Sequence, residues 1–217
     1  RIEFVHQGVE FLELLAYSIE DIEKIVGETI PETYDSWKQL MRNDSTKHSY
    51  YYIWLLGKMA EYEVPWVLKL GKIELRFLEL TSLPKSLFTL TNIISLDIRN
   101  NPIEHLPNNL PALKIDGQQW AQLQQQILQI RTLKHLNISK AKITVLPEEI
   151  CQLENLESLF VQGNSLFDLP QSIGQLSQLR VLNASGNHIK KLPESFFHLE
   201  NLRDVDLSRN ALSDFSE

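Results

Sequence analysis

The 217-residue sequence predicts an α/β solenoid, a stack of short parallel strands forming one concave sheet, preceded by a small all-α segment. Three observations predict it. Leu-Pro pairs stand at Leu83-Pro84, Leu106-Pro107, Leu146-Pro147, Leu169-Pro170 and Leu192-Pro193, at spacings of 23, 40, 23 and 23 residues, and a fixed period in this range marks a repeat array. Between these pairs the apolar residues recur on one template. Residues 1–69 lack that template and show helical periodicity instead.

In residues 1–69, Ile2, Val5, Val9, Leu12, Leu15, Ile19, Ile22 and Val26 recur every three or four positions, so a helix is expected over about 2–27. Gly27, just before Ile30-Pro31, is its stop signal. Further helices are expected over 31–41, over about 50–62 and after Pro65, with a polar loop from Arg42 to Ser49. An open solenoid end presents strand edge and apolar core, and terminal units cover it. Residues 1–69 are therefore read as a helical N-terminal cap domain, and residues 70–217 as the repeat domain.

The cleanest unit is Leu133-x-x-Leu136-x-Ile138-x-x-Ala141-x-Ile143-x-x-Leu146-Pro147-x-x-Ile150-x-x-Leu153. Units beginning at Leu156 and Leu179 repeat it, and one beginning at Leu202 breaks off. Units at Leu70 and Ile93 keep register upstream. Between them lies Leu110-x-x-Leu113-x-Ile115-x-x-Gln118-x-Trp120-x-x-Leu123, six residues early, so the 40-residue gap divides as 17 and 23. The two apolar residues separated by one polar residue alternate as a strand with one buried face. A buried Asn amide can tie one turn's backbone to the next. Asn101, Asn164, Asn187 and Asn210 fill that column, Leu78, Gln118 and Ala141 interrupt it, and the ladder is expected to be weakest around 118–141. The Pro after Leu sets φ and starts the return path.

These seven units resemble the bacterial and plant class of leucine-rich repeats with an LPxxIxxLxxL return segment, over roughly two thirds of the chain. The short step resembles the abbreviated repeats of some bacterial effector proteins. The resemblance implies protein–protein interaction through the concave face. Its alternative is the recognition part of a secreted bacterial effector or ubiquitin ligase whose catalytic domain is absent from this sequence. Because Asn210, Ala211, Leu212 and Phe215 read as mid-repeat, the sequence is expected to belong to a longer chain.

Net charge is −7 and the charged residues form no basic cluster beyond pairs such as Lys190-Lys191. Phosphate contacts supply most nucleic-acid affinity, so no nucleic-acid partner is expected, and an anionic membrane surface is disfavoured for the same reason. The longest apolar or aromatic run, Tyr50 to Leu56, falls short of the roughly 18 residues a membrane span needs. A single cysteine, Cys151, excludes an intrachain disulfide and favours a reducing, cytoplasmic compartment, the alternative being a host cytosol. Cys151 occupies a packing column shared with Gly174 and Phe197, and is read as a structural thiol. No two histidines have metal-ligand spacing, and no phosphate loop or nucleophile elbow occurs. No cofactor, no metal and no enzymatic activity are expected. Asn137-Ile138-Ser139 and Asn183-Ala184-Ser185 match the glycosylation pattern, but the repeat period accounts for both, and they are expected on the packed strand face.

The polar positions of the strands should line the concave sheet. Glu74, Arg76, Asp97, Arg99, Lys114 and Asp116 make its first three strands charged with both signs. His135, Asn137, Phe160, Gln162 and Asn183 make the next three neutral, and Asp204 and Asp206 make the last acidic. An aromatic residue ringed by small polar groups has the composition of an interface hot spot. Apart from Asp204, these are the candidate protein-binding residues, with Phe160 at their centre.

Overall fold

A computed structural model describes residues 70–213 apart from 79, 84–86 and 88–91. The helices and the capping role expected for residues 1–69 lie outside the described residues.

Seven strands form one sheet in sequence order: β1 (Lys72–Glu74), β2 (Ser95–Asp97), β3 (Ala112–Lys114), β4 (His135–Asn137), β5 (Ser158–Phe160), β6 (Val181–Asn183) and β7 (Asp204–Asp206). Every neighbouring pair is parallel. The register is that of the template, with Leu136 opposite Leu159 and Leu159 opposite Leu182. At about 4.8 Å per strand, the sheet spans roughly 29 Å.

Each strand is three residues long because the chain turns sharply soon after it. Phe77, Asn100, Lys140 and Arg209 adopt positive φ at 59°, 58°, 55° and 54°, and Gly163 and Gly186 do so at 67° and 62°. All six share one column, directly before the Asn column. This left-handed kink turns the backbone inward, so that the following Asn can bond to main-chain groups. Asn164 Nδ2 donates to Ile138 O at 2.9 Å and Val161 O at 2.8 Å, and its Oδ1 accepts from Ala141 N at 2.9 Å and Ile143 N at 3.3 Å. Asn101, Asn187 and Asn210 repeat the pattern, each donating to one carbonyl of its own unit and one of the unit before.

The described interior is mostly aliphatic. Ile73, Ile98, Leu136, Leu159 and Leu182 are all buried. On the return path, 3-10 turns η1 (Glu148–Gln152), η2 (Ile173–Gln175) and η3 (Glu194–His198) follow Pro147, Pro170 and Pro193. They stack closely, and a Cβ on Gly174 would lie 2.1 Å from the Ser195 carbonyl oxygen.

The structure departs from the template in three places. First, the third unit has no 3-10 return. Asp116 caps a helix α1 (Gly117–Ile127), accepting from Gln119 N at 3.0 Å while Asp116 N donates to Gln119 Oε1 at 3.3 Å. Trp120, Leu123 and Ile127 are buried. Second, Gln118 is exposed and takes no part in the ladder. Gln119 does so instead, its Nε2 donating to Ile98 O at 2.9 Å and Asn101 O at 3.0 Å. A Gln side chain is one methylene longer than Asn, so it reaches these carbonyls from one position further along the chain. Third, Val205 is 42% exposed although its alternation places it on the core side, β7 being the last strand among the described residues.

The helix also bridges the short step, 17 residues from Ser95 to Ala112. Gln126 Oε1 accepts from Leu106 N at 2.8 Å and its Nε2 donates to Glu104 O at 3.0 Å. Gln122 Nε2 donates to Ile103 O at 3.4 Å. Residues 119, 122 and 126 lie on one helix face, so side-chain amides supply the bonds that a full-length return would have made through backbone.

Candidate functional site

The pleat sends every second residue of a strand to the same face. Because the register is unbroken, Glu74, Asp97, Lys114, Asn137, Phe160, Asn183 and Asp206 form one continuous row across the concave face. Arg76, Arg99, Asp116, Ser139, Gln162, Ser185 and Ser208 stand two residues further along each strand's exit.

At β1–β3 the row is an ion-pair network centred on one carboxylate. Asp97 is 3% exposed. Arg99 holds it through Nε to Oδ1 at 2.9 Å and Nη2 to Oδ2 at 2.8 Å. Lys114 Nζ lies 3.4 Å and Arg76 Nε 3.6 Å from Oδ2, and Arg76 also pairs with Glu74 at 3.4 Å. Burial pushes the Asp97 carboxyl up, but the hydrogen bonds and charge of Arg99, with Lys114, outweigh it and hold the group below its ordinary value. The same carboxylate raises Arg99.

Two candidate contact residues are thereby withdrawn from solvent recognition. Asp97 is buried, because three cations crowd onto it. Asp116 is spent on structure, its Oδ1 capping α1 and its Oδ2 accepting from Asn100 N at 2.9 Å. Glu74, Arg76, Arg99 and Lys114 remain at least partly exposed around them.

At β4–β6 the row is uncharged. Phe160 is half-buried, with Asn137 and Asn183 opposite it on the adjacent strands. Asn137 Oδ1 accepts from Ser139 N at 3.1 Å and Ser139 Oγ at 2.7 Å. Asn183 and Ser185 repeat this at 3.1 and 2.7 Å. Both matches to the glycosylation pattern therefore lie on the concave face and not on the packed one, because the alternation buries Ile138 and Ala184 between them. Burial pushes the His135 imidazole down, with Glu157 opposing and Lys134 reinforcing that shift. Gln162 Oε1 is buried and has no hydrogen-bond partner. At β7, Asp206 accepts from Ser208 N at 3.0 Å. The hydroxyl and N–H of Ser208 hold Asp206 below its ordinary value.

The chemistry elsewhere is sparse. Cys151 is buried, and burial, with the nearby Glu148 charge, pushes its thiol up to about 12, so it is no nucleophile at neutral pH. Among the described residues, no three His, Cys, Asp or Glu side chains are placed to hold a metal ion, and no helix is long and apolar enough to cross a membrane. An open groove of about 760 Å³ lies beside the start of α1, bordered by Asn100, Gln118, Gln122, Lys140 and Lys142. It holds no candidate contact residue besides Asp116.

The sequence reading missed α1 and its glutamine face. The signal was present: Asp116-x-x-Gln119 is a capping-box pattern, and Trp120, Leu123 and Ile127 follow at helical spacing. It also missed two side-chain bonds between units at the strand entries, where Asn155 Nδ2 donates to Arg131 O and Asn201 Nδ2 to Ser177 O, both at 2.8 Å.

Residues 131–189 and 154–212 match the leucine rich repeat family model. Among solved structures, the chain is similar to a leucine-rich repeat protein of Leptospira interrogans, with 31% identity, a TM-score of 0.46, and coverage of 71% of this chain and 34% of that one. The chain thus spans about a third of that protein's length. No curated protein matches it.

Proposed function

We propose that the repeats bind a protein partner through the concave sheet, and that this chain contributes recognition and not catalysis. Leucine-rich repeats generally serve as protein-interaction modules, and residues 131–212 carry that family match. One observation supports the concave face above all. Its row of side chains is continuous over seven strands, with Asp97 alone buried in it, yet its character changes from a mixed-charge network at β1–β3 to amides around a half-buried aromatic at β4–β6. A face that only covered the core would need neither an aromatic nor ordered amides. Electrostatic variation of this kind fixes the register of a bound partner. The buried Cys151 thiol fits a reducing compartment.

Photo-crosslinking tests the reading. A photoreactive residue at Lys114 on the concave face, and one at the exposed Gln152 on the return side, are compared in extract of the source cells. A discrete protein adduct is expected from position 114 alone. Adducts from position 152 alone, or equally from both, would move the binding surface off the sheet.

A further inference from the structure

The β4–β6 part of the concave face holds side-chain groups that are ordered but unused. The Ser139 and Ser185 bonds fix the carboxamides of Asn137 and Asn183 with their oxygens turned along the strand exit. Their Nδ2 groups make no hydrogen bond among the described residues and are not buried. These two donors therefore flank Phe160, one strand spacing to either side, roughly 10 Å apart. Beside them, Gln162 Oε1 is a buried acceptor without a donor.

The next strand supplies a charge preference. Asp204 and Asp206 on β7 make no ion pair within 4 Å among the described residues, and the Ser208 hydroxyl and N–H, with the Arg209 charge, hold Asp206 below its ordinary value. From β4 to β7 the row of Asn137, Phe160, Asn183 and Asp206 carries no Lys or Arg. Along this row a polyanion or phosphate meets amides and carboxylates, whereas an ammonium or guanidinium finds at the β7 edge two carboxylates without a salt bridge.

From this arrangement we infer that the β4–β7 face takes an extended basic–apolar peptide segment of the partner protein. An apolar side chain lies on Phe160. Main-chain carbonyls beside it accept from Asn137 and Asn183, and a Lys or Arg within three residues reaches Asp204 and Asp206. The spacing fits, since Phe160 and Asp206 are two strands apart, roughly 10 Å, and three extended residues cover about the same distance. This rests on the concave face being the protein-binding surface and specifies what that face recognises.

Random linear 12-residue peptides selected on the folded chain test it. Enriched sequences should share an aliphatic or aromatic residue with a Lys or Arg within three positions. A synthetic peptide from that pool should bind Phe160→Ala roughly 30-fold more weakly, the loss expected of a hot-spot residue. Its affinity should fall with added salt, and an Asp204→Asn/Asp206→Asn double variant, altered only at the β7 edge, should remove that salt dependence. Thermal melting of each variant separates lost binding from lost folding. Enrichment of acidic peptides, binding indifferent to both variants, or no enrichment at all would overturn the peptide assignment. A concave crosslink at position 114 would still stand in those cases, so the two readings fail separately.

Discussion

The regular units at β4–β6 and the shortened step at β2–β3 solve one problem by different means. Both must satisfy backbone groups on the inner side of a tight turn. The regular units do so with Asn164 and Asn187, the first also serving the unit whose own column position is Ala141, and with a stack of 3-10 returns. The shortened step does so with a capped helix whose glutamines 119, 122 and 126 reach back to the preceding unit. Six missing residues therefore leave the strand register unchanged, with Asp97 still opposite Lys114. The same boundary divides the concave face, where charge is paired inward on one side and amides are left available on the other. What the repeat requires is satisfied backbone, and more than one side-chain chemistry supplies it.

Breaking the two ladders gives the largest expected effects. Asn164→Ala removes four bonds to buried main-chain groups, and unsatisfied groups cost about 1–3 kcal/mol each when fully desolvated, so a loss of about 3–4 kcal/mol is expected in urea unfolding. Gln119→Ala removes two such bonds and half of the capping box, for about 2 kcal/mol. Equal losses would mean that the helix is as indispensable as the Asn column.

A steric test of the step comes next. A Cβ on Gly117 would lie 2.0 Å from the Ala141 carbonyl oxygen, so Gly117→Ala should destabilise by about 1–3 kcal/mol, in the range of overpacked sites. A smaller loss would show that α1 can shift away from the fourth unit.

The two halves of the face should also titrate apart. Asp97 has its folded value lowered, so the stability it contributes is present above the ordinary Asp value of roughly 4 and is lost as pH falls through the folded value. His135 is also lowered, so the unfolded chain binds its proton first, and its contribution is lost as pH falls below roughly 6.5. Melting temperature measured against pH should lose its acid-most slope in Asp97→Asn and its shallower slope near neutrality in His135→Gln. A profile unchanged in Asp97→Asn would remove the network at β1–β3 as a source of acid sensitivity.

The smallest effect concerns the kink column. Lys140 holds φ at 55°, where its neighbours Gly163 and Gly186 pay no Cβ penalty. Lys140→Gly should change stability by less than about 1 kcal/mol and in the stabilising direction, relief of the left-handed strain outweighing the added chain entropy. A clear loss would assign Lys140 a contact that its backbone does not reveal.

The amino-acid sequence by itself determined the strands, their order and the concave row, because a period-two alternation repeated seven times leaves one register in which every core residue is buried. Leu159 and Val161 inward with Phe160 between them follows from that alone. Tertiary structure decided everything that depends on reach between units. That Gln119 and not Gln118 enters the ladder, that Asp97 disappears beneath three cations, and that Asp116 turns to cap a helix are outcomes of distances across neighbouring turns. A one-dimensional pattern records which face a residue occupies. It does not record which side chain on the next unit is long enough, or charged enough, to claim it.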